Sequence, residues 1–572
     1  MGRHLGVRAD PEPAPVLTTA GIFFICLTCV WTVLVVAGMS YLIVRRHTPL
    51  LRIRGLYLSL SAITLLHLYW ISVQLGITIG PLAPAQAEYW VMGIYFPFGI
   101  ALFHASNSRF LHVAKAQKKY AQHGSSVAKG PSKARCTGGI LGHFRRLDYT
   151  SKILLVVGLG MLFQLFITIL MYVISRKFHR SWGIAGTEVN GTEMEQKMAM
   201  GRGWEWWPSV FWQFFWAWLV APYILWKARG IHDTQGWRFQ TVACAVANLH
   251  ATPMWVIALY VPAMAPVNQY WVPPQWLAVS IMMMEIFTVF LPCWEVMRSQ
   301  ALRQETLESI AHWEAKNKAS GHGAKSLHSA TTAVESMMSG RKSTTNASVR
   351  TSDSGESILT MSALEHVLER NPGPLQQFSA LRDFSGENIA FLTSVAEWKN
   401  SLPAAARNST HGSQDQQTRE LVRERFNRAL RIYAGFISTR DAEFPINISS
   451  QDLKKLEGTF ESSARILYGD KCEVDPATPF DMPELSPKAS TTPTSSCGGS
   501  EKAVVATSED GSAVGDRVQF WGEVPGSFDE TVFDDAEKSI KYLVLTNTWP
   551  KFVRSRRTSM DTFDMEAGNN AV

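Results

Sequence analysis

The sequence has few of the residue arrangements that build metal, redox or covalent catalytic centres. Its seven cysteines form no Cys/His array, and the single C-x-x-C spacing, Cys26 to Cys29, lies in an apolar run typical of helix packing. We therefore expect no metal and no cofactor. The net charge of +7 over 572 residues is modest, so the composition calls for no nucleic-acid partner.

What the first half does contain is a succession of long apolar runs. Each has at least the roughly 20 residues that an α-helix needs to cross the hydrocarbon core of a bilayer. These runs predict seven membrane spans: Thr18–Val44, Leu56–Ile79, Tyr89–Val113, Ile153–Ser175, Trp207–Trp226, Phe239–Tyr260 and Trp276–Met297.

The second half is polar and charged, with helical rather than strand periodicity. The predicted fold class is therefore all-α, with a seven-helix membrane bundle followed by a cytosolic helical domain. The predicted segments are an outer N-terminus at 1–17, the bundle at 18–298, a helical extension and flexible linker at 299–361, the helical domain at 362–556 with a disordered insertion at about 470–523, and a tail at 557–572.

The basic residues predict the orientation in the membrane. They are abundant in the first, third and fifth connections and absent from the second and sixth, which places the N-terminus outside and the C-terminus in the cytosol of a multi-pass plasma-membrane protein. The fourth connection carries Arg176, Lys177 and Arg180 against this trend. It also contains the sequon at Asn190, a candidate glycosylation site on the outer face.

Polar residues inside the predicted spans are candidates for function because burying them in lipid is costly. Asn248 and His250 lie in the sixth span, and Glu285 lies in the middle of the seventh. These residues predict either an intramembrane ligand site or switch, or ordinary hydrogen bonds between helices. Pro253 predicts a kink in the sixth span.

The helical domain shows four amphipathic stripes that predict its core. They consist of Leu375, Phe378, Leu381, Phe384, Ile389, Leu392, Val395 and Trp398; Val422, Phe426, Ala429, Tyr433 and Phe436; Leu453, Leu456, Phe460 and Leu467; and Phe533, Ala536, Ile540 and Leu543.

Four sequence blocks stand beside these stripes. They are Phe384-Ser385-Gly386-Glu387-Asn388-Ile389, Ile432-Tyr433 with Phe436-Ile437, Ile446-Asn447-Ile448, and Phe533-Asp534-Asp535-Ala536 leading to Trp549-Pro550-Lys551-Phe552. In this order the blocks resemble the regulator-of-G-protein-signalling (RGS) domain, over about 363–469 and 525–556. The whole layout is similar to the fungal seven-transmembrane RGS class and, in plan, to the plant receptor-like RGS protein.

The resemblance implies a partner rather than a catalytic centre. RGS domains bind the GTP-bound α subunit (Gα) of a heterotrimeric G protein and speed its GTP hydrolysis, so the chain itself is expected not to be an enzyme. The other expected partners are the lipid bilayer and an unidentified extracellular ligand. The Gα-contact residues implied by the resemblance are Glu387, Asn388, Asn447, Leu543, Asn547, Thr548 and Lys551.

Two positions depart from the family pattern, which usually has an acidic residue at Asn547 and an arginine at Lys551. Lysine cannot reproduce a bidentate arginine contact, so affinity or choice of Gα is expected to differ. Asn388 also fits a helix cap, and Asn447 an ordinary turn.

Other functions remain open for the chain as a whole. The third and seventh spans lack the switch motifs of rhodopsin-like receptors. The alternatives are a receptor or a transporter whose RGS-like tail only docks Gα without accelerating hydrolysis.

Overall fold

The computed structural model describes residues 17–80, 82, 86–121, 149–179, 182–191, 196, 199–320, 334–335, 358–401, 416–468 and 519–558. Helices dominate these residues and no strand forms among them, which confirms the all-α prediction for the described part. Most of the predicted linker, and of the insertion up to residue 518, lies outside the described residues.

Among the described residues, the first part forms a bundle of seven long helices. Their bounds are α1 (Thr19–Val44), α2 (Leu56–Ile79), α3 (87–117), α4 (Tyr149–Ile174), α5 (207–228), α6 (Trp237–Leu249 and Ala251–Tyr260) and α7 (275–320). Within the described residues, six helices are long and apolar enough to cross a membrane: Thr19–Val44, Leu56–Gly76, Ser151–Ile174, Trp204–Ala228, Trp237–Tyr260 and Gln275–His312. The third predicted span forms α3, and its membrane crossing stays a prediction.

The environment of α3 explains why it is less apolar than its neighbours. His104, Ser106 and Asn107 are buried along it, and it packs against α2, α4 and α5. A helix that is covered by protein on several sides needs little apolar surface for lipid. Hydropathy along the sequence therefore gives its weakest signal for the helix that is most enclosed.

Prolines shape the helices of the bundle. Three π-helical turns, Val91–Tyr95, Phe215–Val220 and Ile286–Phe290, each end two residues before a proline: Pro97, Pro222 and Pro292. Proline lacks a backbone N–H and clashes with the carbonyl four residues earlier, and a wider turn removes that clash. In α6 the helix is interrupted at His250, close to the kink predicted at Pro253.

Six helices of the C-terminal domain lie within the described residues. They are α8 (Met361–Arg370), α9 (373–383), α10 (Gly386–Asn400), α11 (416–437), α12 (Ser450–Tyr468) and α13 (534–558). Phe460 lies at the centre of their shared core, stacked on Phe426 at 5.6 Å, Tyr433 at 5.3 Å and Phe533 at 5.6 Å between ring centroids. Three of the four predicted stripes therefore meet in one aromatic cluster.

The predicted core is correct at most positions and wrong at two. Leu381 and Val422 are exposed, at 39% and 42% of their surface, because each lies on the solvent side of its helix. Leu453 and Leu543 are partly buried against the core. At the end of the predicted insertion, Phe520 is buried against Phe426, with its backbone N–H 2.7 Å from Asn427 Oδ1. The domain therefore resumes by residue 520, before the predicted end at residue 523.

We expect Phe460→Ala to destabilise the helical domain by about 3–5 kcal/mol, since it leaves a large cavity in a fully packed core. Ile466→Ala on the same helix is the matched control, because Ile466 is 60% exposed. Thermal unfolding of the full-length protein in detergent, followed by circular dichroism, measures both. Equal melting temperatures for the two variants would contradict the central position of Phe460.

Candidate functional site

The sequence blocks meet in pairs, although up to about 170 residues separate them. The start of the fourth block lies apart, since Asp534 is bound to Lys399 at the C-terminal end of α10. The backbone N–H of Ile446 donates to the carbonyl of Phe436 at 2.8 Å, which joins the second and third blocks. Thr548 Oγ1 lies 3.2 Å from Ser385 Oγ and so brings α13 against the first block. The rings of Phe378 and Phe552 meet at 5.4 Å. One end of the helical domain thus gathers residues from α9, α10, α11 and α13.

A buried carboxylate, Asp383, organises this end. Its Oδ2 accepts hydrogen bonds from Thr548 at 2.8 Å and Ser385 at 2.9 Å. Its Oδ1 accepts from Lys551 Nζ at 2.8 Å and from Thr234 of the bundle at 3.0 Å. Four donors compensate for the cost of removing the charge from water. The ammonium group of Lys551 is therefore bound to a carboxylate of the same domain, through a single contact with Asp383 Oδ1.

Phe384 follows Asp383 in a left-handed backbone conformation, with φ of 52°. This conformation is uncommon for a residue with a side chain and persists only where surrounding contacts hold it. The ring of Phe384 is buried and lies 6.0 Å from that of Phe110 in α3, which in turn lies 5.2 Å from Trp237 of α6. The turn between α9 and α10 therefore inserts an aromatic side chain into the end of the membrane bundle.

The start of α10 contacts the end of α3 directly. Gln117 accepts a hydrogen bond from the backbone N–H of Gly386 at 3.0 Å and donates one to Glu387 Oε2 at 2.9 Å. Gln376 donates to the carbonyls of Gly386 and Tyr120. A Cβ on residue 386 would lie only 2.9 Å from Tyr120 Cβ, so the close approach requires glycine there.

Burial raises the pKa of Glu387 to about 7, and the charge of Asp383 adds to the rise. The hydrogen bond from Gln117 and the charge of Arg52 act in the opposite direction. The carboxyl side chain of Glu387 is half-buried and faces Gln117 at the end of α3.

The seven predicted Gα-contact residues are not equally accessible. Asn388 and Thr548 are buried, and Asn388 Oδ1 has no hydrogen-bond partner among the described residues. Leu543 and Asn547 are half-buried, whereas Asn447 is exposed in the segment between α11 and α12. The sequence reasoning missed Asp383 and Gln117. Asp383 adjoins the first block and was detectable, but nothing in the sequence marked Gln117.

Glu285 belongs to a buried polar network inside the bundle. Its Oε1 lies 2.7 Å from His67 Nδ1 of α2, and its Oε2 accepts from Trp31 Nε1 of α1 at 2.5 Å. His67 Nε2 lies 3.1 Å from Thr32 Oγ1. Three helices are therefore joined by one fully buried carboxylate, and the sequence indicated only Glu285.

Asn248 lies apart from this network, at a small internal cavity between α3, α5, α6 and α7. Its amide donates to the carbonyl of Cys244 at 2.9 Å and contacts Met284 Sδ at 3.0 Å. The buried atoms His104 Nδ1, Gln213 Nε2 and Thr252 Oγ1 come from residues lining the same cavity and have no hydrogen-bond partner among the described residues. His250 does not line the cavity, since it occupies the break in α6. The three predicted intramembrane residues therefore form no single site.

Across the described residues, no group of three or more His, Cys, Asp or Glu side chains is placed to hold a metal ion. Comparison with protein-family models, curated proteins and solved structures finds no match to this chain.

We expect Glu285→Ala to lower the stability of the bundle by about 1–3 kcal/mol, because it leaves Trp31 and His67 as buried groups without their acceptor. Glu285→Gln keeps an acceptor and should lose less. Met283→Ala is the control, since the neighbouring Met283 is 39% exposed. Thermal unfolding of the detergent-solubilised protein compares the three, and a loss for Glu285→Ala no larger than for Met283→Ala would contradict the network's role.

Proposed function

We propose that the chain is a membrane-anchored regulator of heterotrimeric G proteins, whose C-terminal helical domain binds GTP-bound Gα and accelerates GTP hydrolysis. The observation that carries this proposal is that the RGS-like blocks meet in pairs in the fold: the first meets the C-terminal part of the fourth, and the second is hydrogen-bonded to the third. The blocks are distant in sequence, yet Asp383 alone contacts residues at the first and the fourth.

In this proposal the domain supplies no nucleophile, base or metal. The reacting groups belong to Gα, whose switch segments are mobile before hydrolysis. A preformed surface that is complementary to their transition-state arrangement lowers the barrier by removing the cost of ordering them. Asn447 is the exposed polar candidate for contact with these segments, and it stands on a segment held by Ile446 in the domain core.

The bundle anchors this domain at the end that carries the basic connections. Thr234 lies in the fifth connection, and Gln117 lies at the end of α3, beside the third connection. Both residues contact the domain. This arrangement supports an orientation with the N-terminus outside, in the plasma membrane.

Ligand sensing by the bundle is a second part of the proposal. The cavity beside Asn248 is the candidate position for such a ligand, because three buried polar atoms of its lining residues lack partners within the described structure. Its volume of about 10 Å³ admits about one water molecule, so a larger ligand requires the surrounding helices to separate.

The orientation predicts that Asn190 is the glycosylated sequon in the full-length protein, since it is exposed in the connection between α4 and α5. Asn346, Asn408 and Asn447 should carry no glycan. Treatment with an N-glycosidase, with Asn190→Gln as the control, measures the mobility shift. Glycan on Asn447 would reverse the orientation.

The hydrolysis activity predicts that Asn447→Ala slows GTP hydrolysis by about ten- to hundredfold relative to the unchanged protein, from loss of one polar contact worth about 1–3 kcal/mol. The measurement is single-turnover hydrolysis by Gα subunits of the same organism, with the full-length protein in nanodiscs. Gln451→Ala is the control, since Gln451 is exposed nearby on α12.

Binding should be tightest to Gα carrying GDP and aluminium fluoride, because this species imitates the transition state. If no Gα subunit is accelerated and none prefers the transition-state mimic, the proposed activity is wrong.

A further inference from the structure

We propose that the cytosolic end of the membrane bundle and a Gα subunit compete for one face of the helical domain, so that the docked form described here is a closed form. The inference rests on the proposed function and concerns its regulation. The competing face consists of Asp383–Asn388 together with Thr548 and Lys551, and we call it the junction face.

The first argument is occupancy. Gln117 uses both ends of its amide on the junction face, one on the Gly386 N–H and one on the Glu387 carboxylate. The α5–α6 connection occupies the neighbouring positions, where Thr234 N–H donates to the carbonyl of Arg382 at 2.9 Å and Gln235 Nε2 to that of Asp383 at 2.6 Å. A second protein can reach these groups only after the bundle has left them.

The second argument is steric. Residue 386 has no room for even a Cβ beside Tyr120, and the ring of Tyr120 packs at 6.3 Å from Phe436 and 6.4 Å from Phe444. No layer of a partner protein fits between surfaces in such contact. Of the seven candidate contact residues, Glu387, Asn388, Thr548 and Lys551 belong to the junction face, whereas Asn447 stays exposed.

The third argument is that the interface is suited to opening. Its apolar part is small, with Phe384 and Tyr120 as the main inserted rings, and its hydrogen bonds come from neutral amide and hydroxyl groups of the bundle, which water can replace. At the edge of the interface, Lys119 Nζ lies 2.7 Å from Glu443 Oε2. The two side chains are 65% and 37% exposed, so this ion pair adds little to the stability of the closed form. Polar interfaces between parts of one chain behave like those of transient complexes.

The test uses a variant outside the junction face. Gln117→Glu keeps the size of the side chain but places a carboxyl group against Glu387. At about pH 8 the closed form must then either hold two repelling charges or take up a proton, and both cost free energy relative to the open form, in which the two carboxylates are in water. Lys118→Gln is the matched control, because it makes the same change in charge at the adjacent exposed residue. Single-turnover hydrolysis by Gα is measured with the full-length protein in nanodiscs.

If about nine-tenths of the molecules are closed, opening should raise the apparent affinity for Gα about tenfold. We expect this gain for Gln117→Glu and none for Lys118→Gln. Equal acceleration by both variants and the unchanged protein overturns the competition but leaves the proposed function standing.

A second arm does not depend on the behaviour of Gln117→Glu. In a chain without its native cysteines, Lys119→Cys and Glu443→Cys are joined by a photocleavable bifunctional thiol reagent, which fixes the closed form. Acceleration should fall about tenfold or more on crosslinking and return on illumination. Unchanged acceleration after crosslinking overturns the inference, whereas no acceleration in any form, crosslinked or illuminated, overturns the proposed function and the inference with it.

Discussion

The arrangement of the helical domain on the bundle depends on one buried carboxylate. Asp383 receives hydrogen bonds from the turn before α10, from α13 and from the α5–α6 connection of the bundle. An ionised group in such a position is stable only while its donors are in place. The shape of the junction face around Asp383 therefore depends both on contacts inside the domain and on contacts between the domain and the bundle.

Inside the bundle, the same requirement to satisfy buried polar groups produces different structures. The Glu285 network joins three helices through direct contacts and leaves both carboxylate oxygens paired. The cavity beside Asn248 leaves polar atoms of its lining without partners among the described residues. The first arrangement stabilises packing, and the second has room for about one water molecule, which could hydrogen-bond to the unpaired atoms.

Periodicity in the sequence was sufficient for most of the fold. Long apolar runs located the bundle helices to within a few residues, except for the C-terminal end of α7, which continues as a polar helix to Ser320. The stripes located Phe426, Phe460 and Phe533 in one core. Periodicity gave wrong predictions where the environment of a residue is set by another part of the chain. Leu381 has the spacing of a core residue but faces solvent, and α3 is polar because other helices cover it.

The candidate site was predictable in part for the same reason. The motif blocks identified Glu387, Asn388 and Thr548, yet they carried no information on Gln117, Tyr120 and Thr234, which cover this surface from the bundle. Contacts between distant segments depend on how two folded parts meet, and no local pattern records that. Likewise, Glu285 was evident as a costly charge, whereas its partner His67 is also a polar residue inside a predicted span but nothing in the sequence linked the two.

The π-helical turn at Ile286–Phe290 sets the rotation about the helix axis of the part of α7 that follows it. Beyond it the helix continues without a break through Leu291–Ser320, where Ile310 packs against the domain core and Glu305 lies 3.8 Å from Arg554. A π turn holds about one residue more than an α turn, so its conversion to α-helix would rotate everything below it by about 100° and shift it by about 1.5 Å. Glu285 immediately precedes this turn, so a change of pitch beside that carboxylate would rotate the surface of α7 that contacts the domain.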